Sequence, residues 1–164
     1  MTKGIQVLSS DNAECIATAM AYLQRFYLHQ SLFTHDPQHF VYAMLFLSIK
    51  VHEIAMPHQQ FCQFFEVDHR AINLARIEQI LLSGLNYQLQ IHTPISGVKS
   101  LVYQFEADIK RNYVSLSDAH QLMLKKVKNQ ALQACFFSYR LRQLVFCESP
   151  GLISLVAFDI GLRA

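Results

Sequence analysis

The sequence predicts an all-α protein, and three features carry that expectation. Apolar residues recur at i, i+3 and i+4 through several long segments, the spacing of one buried helix face, and no segment shows the period of a strand. A capping residue stands directly before proline at Asp36-Pro37, Thr93-Pro94 and Ser149-Pro150. In such a pair the first side chain accepts an orphan backbone N–H, and proline occupies the first helical position, where its missing N–H costs nothing. Finally, the 164 residues include only five Gly and four Pro, so long runs are left unbroken.

The first helix is expected over about Asn12–His29. Ile16, Ala19, Met20, Leu23, Phe26 and Tyr27 form its stripe, Ser10 or Asp11 its cap, and Glu14 the partner in a capping box. The segment FVYAMLFLSIKV, Phe40–Val51, is apolar on all sides, which marks a central helix with neighbours around it. Its apolar run of about ten residues is too short for a bilayer, which needs ~20. Lys50 breaks the pattern. Placed at the last turn, it suits the negative end of the helix dipole and can snorkel to water, or it can serve a partner.

A short turn opens at Pro57, with Phe61, Phe64 and Phe65 as a ridge. Asp68 is the expected cap of a helix over about His69–Leu85, striped by Leu74, Ile77, Leu81 and Leu85 and carrying Glu78 among them, with Gly84 and Asn86 as terminators. NYQLQIH reads as an extended linker. Thr93 and Pro94 then start a helix whose face is Ile95, Val98, Leu101, Val102, Phe105 and Ile109. After a loop near Arg111–Leu116, a helix from Asp118 to about Tyr139, capped by Ser115 or Ser117, has Leu122, Met123, Val127, Ala131, Leu132, Cys135 and Phe136 as its expected stripe. The last helix begins at Pro150 and is apolar on more than one side, like the central one.

Composition narrows the function classes. Apolar residues make up 52% and charged residues 16%, a balance that favours a surface covered by a partner. A net charge of +2, with a single basic tract at Lys125-Lys126-Val127-Lys128, gives little electrostatic case for nucleic acid. Cys15, Cys62, Cys135 and Cys147 stand far apart without a C-x-x-C, and the histidines lack ligand spacing, so no metal site, disulfide framework or cofactor is expected. MTKGIQVLSS has no long apolar run, so no signal peptide is expected, and neither is membrane association. No Gly-rich phosphate loop, nucleophile elbow or catalytic carboxylate pair is present, and the chain is expected not to be an enzyme.

Several of these strings resemble the cyclins. IATAMAYLQRFYL is similar to the second cyclin-box helix, DPQHFVYAMLFLSIKVHE to the third, INLARIEQILLSGLNYQL to the fourth and IHTP to the start of the fifth, while LVFCESPGLISLVAF resembles the matching helix pair of a second box. FYL together with LNYQLQIHTP is most similar to cyclin H, and next to cyclin C. The resemblance implies a cyclin-box helical fold, with the first box, 1–112, nearly complete but lacking its first helix, and a partial second box, 113–164. It implies a non-catalytic regulatory subunit that binds and activates a cyclin-dependent kinase, as in the CDK-activating kinase and the kinase module of general transcription factor IIH. Such a subunit would be nuclear, with a RING-type assembly factor as a further partner. Lys50 and Glu78 match the pair that grips the kinase's C-helix and its preceding loop, and Leu47, Val51, Leu82, Tyr87 and Leu89 match the apolar positions around that pair. The alternative is a helical adaptor of the transcription factor IIB type, which shares the fold and would need a basic stripe for nucleic acid.

Overall fold

The computed structural model describes residues 12–66, 73–112, 118–141 and 147–163. The described residues form seven helices and no strand: α1 (Ala13–His29), α2 (Pro37–Val51), α3 (His58–Phe64), α4 (Leu74–Gly84), α5 (Pro94–Asn112), α6 (Asp118–Ser138) and α7 (Pro150–Arg163). They belong to two compact units, Met1–Ile91 and His92–Ala164.

In the first unit α2 is the central element, packed on α1 and α4. Its start is as expected: Asp36 accepts a hydrogen bond from the Gln38 amide at 2.9 Å, and Pro37 opens the helix. Phe40, Ala43, Met44, Phe46, Leu47 and Ile49 are buried. They join Tyr22 and Phe26 of α1, Phe61 of α3, and Leu74 and Leu81 of α4 in one core cluster. Aromatic contacts tie this core together. Phe26 stacks on Phe40 with centroids 5.1 Å apart, and Phe46 lies 4.9 Å from Phe61. A fully buried side chain of this size contributes about 1.5–3 kcal/mol over its exposed state. Two hydrogen bonds staple the helices: Thr18 Oγ1 to His52 Nε2 at 2.9 Å, and the Tyr22 hydroxyl donating to the Leu89 carbonyl at 2.7 Å.

Two helix starts differ from expectation. Asn12 precedes α1 without a side-chain cap, and the expected caps Ser10 and Asp11 lie outside the described residues. At α4 the cap is Asn73, whose side chain accepts from the Arg76 amide at 3.1 Å; Asp68 and His69 also lie outside the described residues. The end of α4 uses Asn86 as expected but adds a second residue. Asn86 and Tyr87 both take left-handed backbone, φ 52° and 57°, closed by Tyr87 N–H to the Leu82 carbonyl at 2.9 Å.

In the second unit α5, α6 and α7 pack against one another. The compact units meet at Ile91/His92, and α5 packs with the helices that follow it. The contact is close. The Ser154 hydroxyl reaches the Pro94 carbonyl at 2.9 Å and its own helix's Pro150 carbonyl at 2.7 Å, and Phe105 meets Phe158 edge to face at 5.9 Å. The register of α6 also corrects the sequence reading. Leu124, Val127, Ala131, Leu132 and Cys135 are buried, whereas Leu122 and Met123 face solvent. Stepping back from Ala131 by four and then three places the buried position at 124, so 122 and 123 fall off the face.

Candidate functional site

Lys50 stands in the last turn of α2 and Glu78 in the middle of α4, 28 residues away in sequence. Packing of α2 on α4 brings them together, as the sequence reading expects. The Lys50 ammonium donates to both oxygens of Glu78, at 2.7 and 2.8 Å. The same Nζ lies 4.7 Å from the centroid of the Phe46 ring, which holds the charge against an electron-rich face. The side chains are 46% and 21% exposed, so the pair is a surface feature with Glu78 the more sheltered member. The helix-end reading of Lys50 is therefore incomplete: its charge is directed across to a neighbouring helix.

This arrangement leaves binding capacity in reserve. An ammonium has three donors, of which Glu78 engages two, and each carboxylate oxygen has more than one lone-pair site. One N–H and several lone pairs can meet the carbonyls and amides of a docked main chain without breaking the pair.

The flanking residues divide by exposure. Val51 and Tyr87 are exposed, Leu82 and Leu89 are half-buried, and Leu47 belongs to the core. Leu47 therefore supports the floor of the site and is not itself available for contact. Leu89 is fixed by the Tyr22 hydrogen bond to its carbonyl. Tyr87 is the unusual member: the residue is 72% exposed and its backbone is left-handed at the end of the helix that carries Glu78. Non-glycine residues hold that conformation at some cost, and such positions concentrate at functional sites. Neither the Phe46 contact nor the conformation of Tyr87 follows from the sequence reading; Asn86, a residue tolerant of positive φ, is the one signal that pointed to a left-handed turn there.

Among the described residues no three His, Cys, Asp or Glu side chains come together in a way that could hold a metal ion, and no helix is long and apolar enough to cross a membrane.

Residues 8–90 match the model of the cyclin N-terminal domain, which includes both Lys50 and Glu78. Over 90 residues the chain is 27% identical to Cyclin-H1-1 of Arabidopsis thaliana; this stretch is 55% of the chain and 26% of that protein. Two solved structures share the fold. One is a chain of the yeast TFIIK complex of Kin28, Ccl1 and Tfb3 (TM-score 0.70, 20% identity, 92% of this chain and 65% of that one). The other is a chain of the CAK complex of Chaetomium thermophilum bound to ATP-gamma-S (TM-score 0.72, 21% identity, 98% of this chain and 50% of that one). The chain thus spans about a quarter of the plant relative and half to two thirds of the solved chains. With the family model matching half of its residues and the helical fold shared with these chains, the protein belongs to the cyclin family.

Proposed function

We propose that this chain is a cyclin-H-like regulatory subunit that binds a cyclin-dependent kinase and activates it without turnover of its own. The observation that carries the reading is the Lys50–Glu78 pair, displayed at the surface within the residues that match the cyclin N-terminal domain. The pair offers a donor and acceptors side by side, the combination a docked main-chain segment needs. Val51, Leu82, Tyr87 and Leu89 supply apolar contact around it, with Tyr87 as the aromatic anchor. Activation follows if the docked segment is the kinase's C-helix, since an active kinase needs the glutamate of that helix paired with its catalytic lysine. The solved complexes with similar chains, TFIIK and CAK, support a setting in a nuclear transcription-associated kinase assembly with a third subunit of the Tfb3 kind, read here as a RING-type assembly factor.

The test is a titration of the chain into a cyclin-dependent kinase of that assembly, with the kinase's phosphoryl-transfer rate as second readout. Removing one partner of a buried hydrogen bond costs about 1–3 kcal/mol, so Lys50→Ala and Glu78→Ala should each weaken binding by about tenfold or more. Helicity should be unchanged. Parent-like binding by both variants would remove the pair from the interface.

A further inference from the structure

We propose that a cleft between α5 and α6 binds a phosphorylated peptide segment. The cleft has a volume of about 440 Å³ and is built from the second unit alone, whereas the residues assigned to kinase binding belong to the first. That volume falls in the range of about 300–1,000 Å³ typical of sites for small groups. Lys99 and Lys110 enter it from α5, and Lys125 and Lys128 from α6. The KKVK tract, which the kinase-binding reading leaves without a role, thus supplies one wall. Among the described lining residues the one carboxylate is Glu106, and it is engaged by Lys110 at 2.7 Å.

Four ammonium groups against one carboxylate leave an excess of positive charge around the concavity, and the buried contact beneath them is made by Leu124, with Val102 half-buried beside it. An excess of one sign of charge around a concavity focuses the potential on a counter-ion. A phosphoryl group carries about −1.5 to −2 charge at pH 7 and three acceptor oxygens, enough to engage donors from both walls at once. Tyr103, exposed at the edge, adds an aromatic face and a hydroxyl, and Val102 an apolar contact. That mixture suits a phosphorylated residue with an apolar neighbour in the same chain. A nucleic-acid strand presents a charge every ~3.4 Å and needs a long basic track, which one cleft on a chain of net charge +2 does not make. A flat lipid surface does not enter a concave site.

The experiment is a fluorescence titration of the full chain with a short synthetic peptide containing phosphothreonine between two leucines, beside the same peptide unphosphorylated. The phosphopeptide should bind at least about tenfold more tightly. The double variant Lys125→Ala/Lys128→Ala should abolish most of that difference with helicity and kinase binding unchanged. Lys126→Ala, which lowers net charge from a residue that does not line the cleft, should leave phosphopeptide affinity within about twofold of the parent. Lys50→Ala should leave it unchanged too, so this proposal and the kinase reading can fail separately. Equal affinity for both peptides overturns the proposal. So does an equal loss with Lys126→Ala, which would mean bulk charge alone. Tighter binding to single-stranded DNA or to phosphatidylserine vesicles, lost in the same double variant, would reassign the cleft to that ligand and overturn it as well.

Discussion

Helices α2 and α7 begin alike, each with a capping residue followed by proline, and both are apolar around most of their circumference. Their surroundings differ. α2 buries its large side chains, Phe40, Met44, Phe46, Leu47 and Ile49, and exposes chiefly Val41 and Val51. α7 does the reverse. Its buried face is Ile153 with the small residues Ser154, Ala157 and Gly161, while Leu152, Leu155, Val156, Ile160 and Leu162 face outward. Small residues let α7 come close to α5 and α6, and that closeness turns the large ones away. A Cβ placed on Gly161 would lie 2.7 Å from the Val127 carbonyl oxygen, and one on Gly97 would lie 2.7 Å from the Ser154 Cβ. Equal hydropathy therefore does not mean equal burial; residue size on each face decides which side packs.

The largest effect should come from truncating the buried side of α2. Met44→Ala removes a side chain 1% exposed and should cost about 2–5 kcal/mol. Leu155→Gln, on an equally apolar helix but at an exposed position, should stay within about 0.5 kcal/mol. Urea denaturation of the two variants compares them directly. A cost above 2 kcal/mol for Leu155→Gln would mean that this face is covered in solution and that the contrast with α2 is false.

Next in size is the close approach that defines α7. Gly161→Ala pushes a methyl against backbone, which cannot swing aside as a side chain can, and should cost about 1–3 kcal/mol. Gly151→Ala in the same helix meets nothing within 4 Å and should gain up to about 1 kcal/mol from helix propensity. Opposite signs in thermal melts would establish that size, at one glycine and not the other, holds α7 in place.

The same contrast shows what was legible in the sequence. The bounds of α2, its Asp36-Pro37 start and the meeting of Lys50 with Glu78 were readable, because caps and helical period are local and the resemblance supplied the pairing. The face that α7 buries was not readable. A helix apolar all round has no period to show which side is inside, and Gly161 looks like a helix weakener until its neighbour's carbonyl is located. Leu122 and Met123 in α6 were assigned inward because consecutive apolar residues at 122, 123 and 124 permit more than one register. That α5 packs with α6 and α7 is not visible in its stripe for a related reason: a helix's own stripe does not say whether it packs backward or forward along the chain. At the site, Leu47 was legible as apolar but not as core, and Tyr87 gave no sign of its left-handed backbone.

Alkaline pH tests both units at a smaller scale. Burial raises the Tyr22 hydroxyl from 10.0 to about 12, opposed by nearby Arg25, and its proton is the one donated to Leu89. In the second unit burial raises the Cys135 thiol from 9.0 to about 12, and raises Tyr139 as well, with Cys135 adding to the effect. A folded pKa above the unfolded one means that the stabilisation is complete below the unfolded value and is lost as pH rises through the folded one. Melting temperature should hold from neutral to about pH 9 and fall between about 9 and 12. Cys135→Ala should make the fall near pH 9 shallower, leaving there the contribution of Cys62, whose thiol burial also raises from 9.0. No change in Cys135→Ala would mean that the thiol does not contribute.

The smallest effect on stability is expected at the residues assigned to binding. The Lys50–Glu78 pair has short bonds, at 2.7 and 2.8 Å, but its members are 46% and 21% exposed, so water screens the attraction and competes for the same groups. Pairs of this kind contribute about 0.2–1 kcal/mol in double-mutant cycles. The Phe46 contact adds about 0.5–1 kcal/mol at most, since the charge remains hydrated on one side. Lys50→Ala, Glu78→Ala and the double variant, each unfolded by urea, isolate the coupling as the part that fails to add. A coupling below about 1 kcal/mol, alongside an affinity loss of about tenfold, would separate the pair from residues such as Met44 that act by filling volume. A coupling above about 3 kcal/mol, the size seen when a buried pair is broken, would instead make the pair part of the structural contact between α2 and α4. Its loss would then weaken kinase binding only by loosening the fold, and helicity would fall along with affinity.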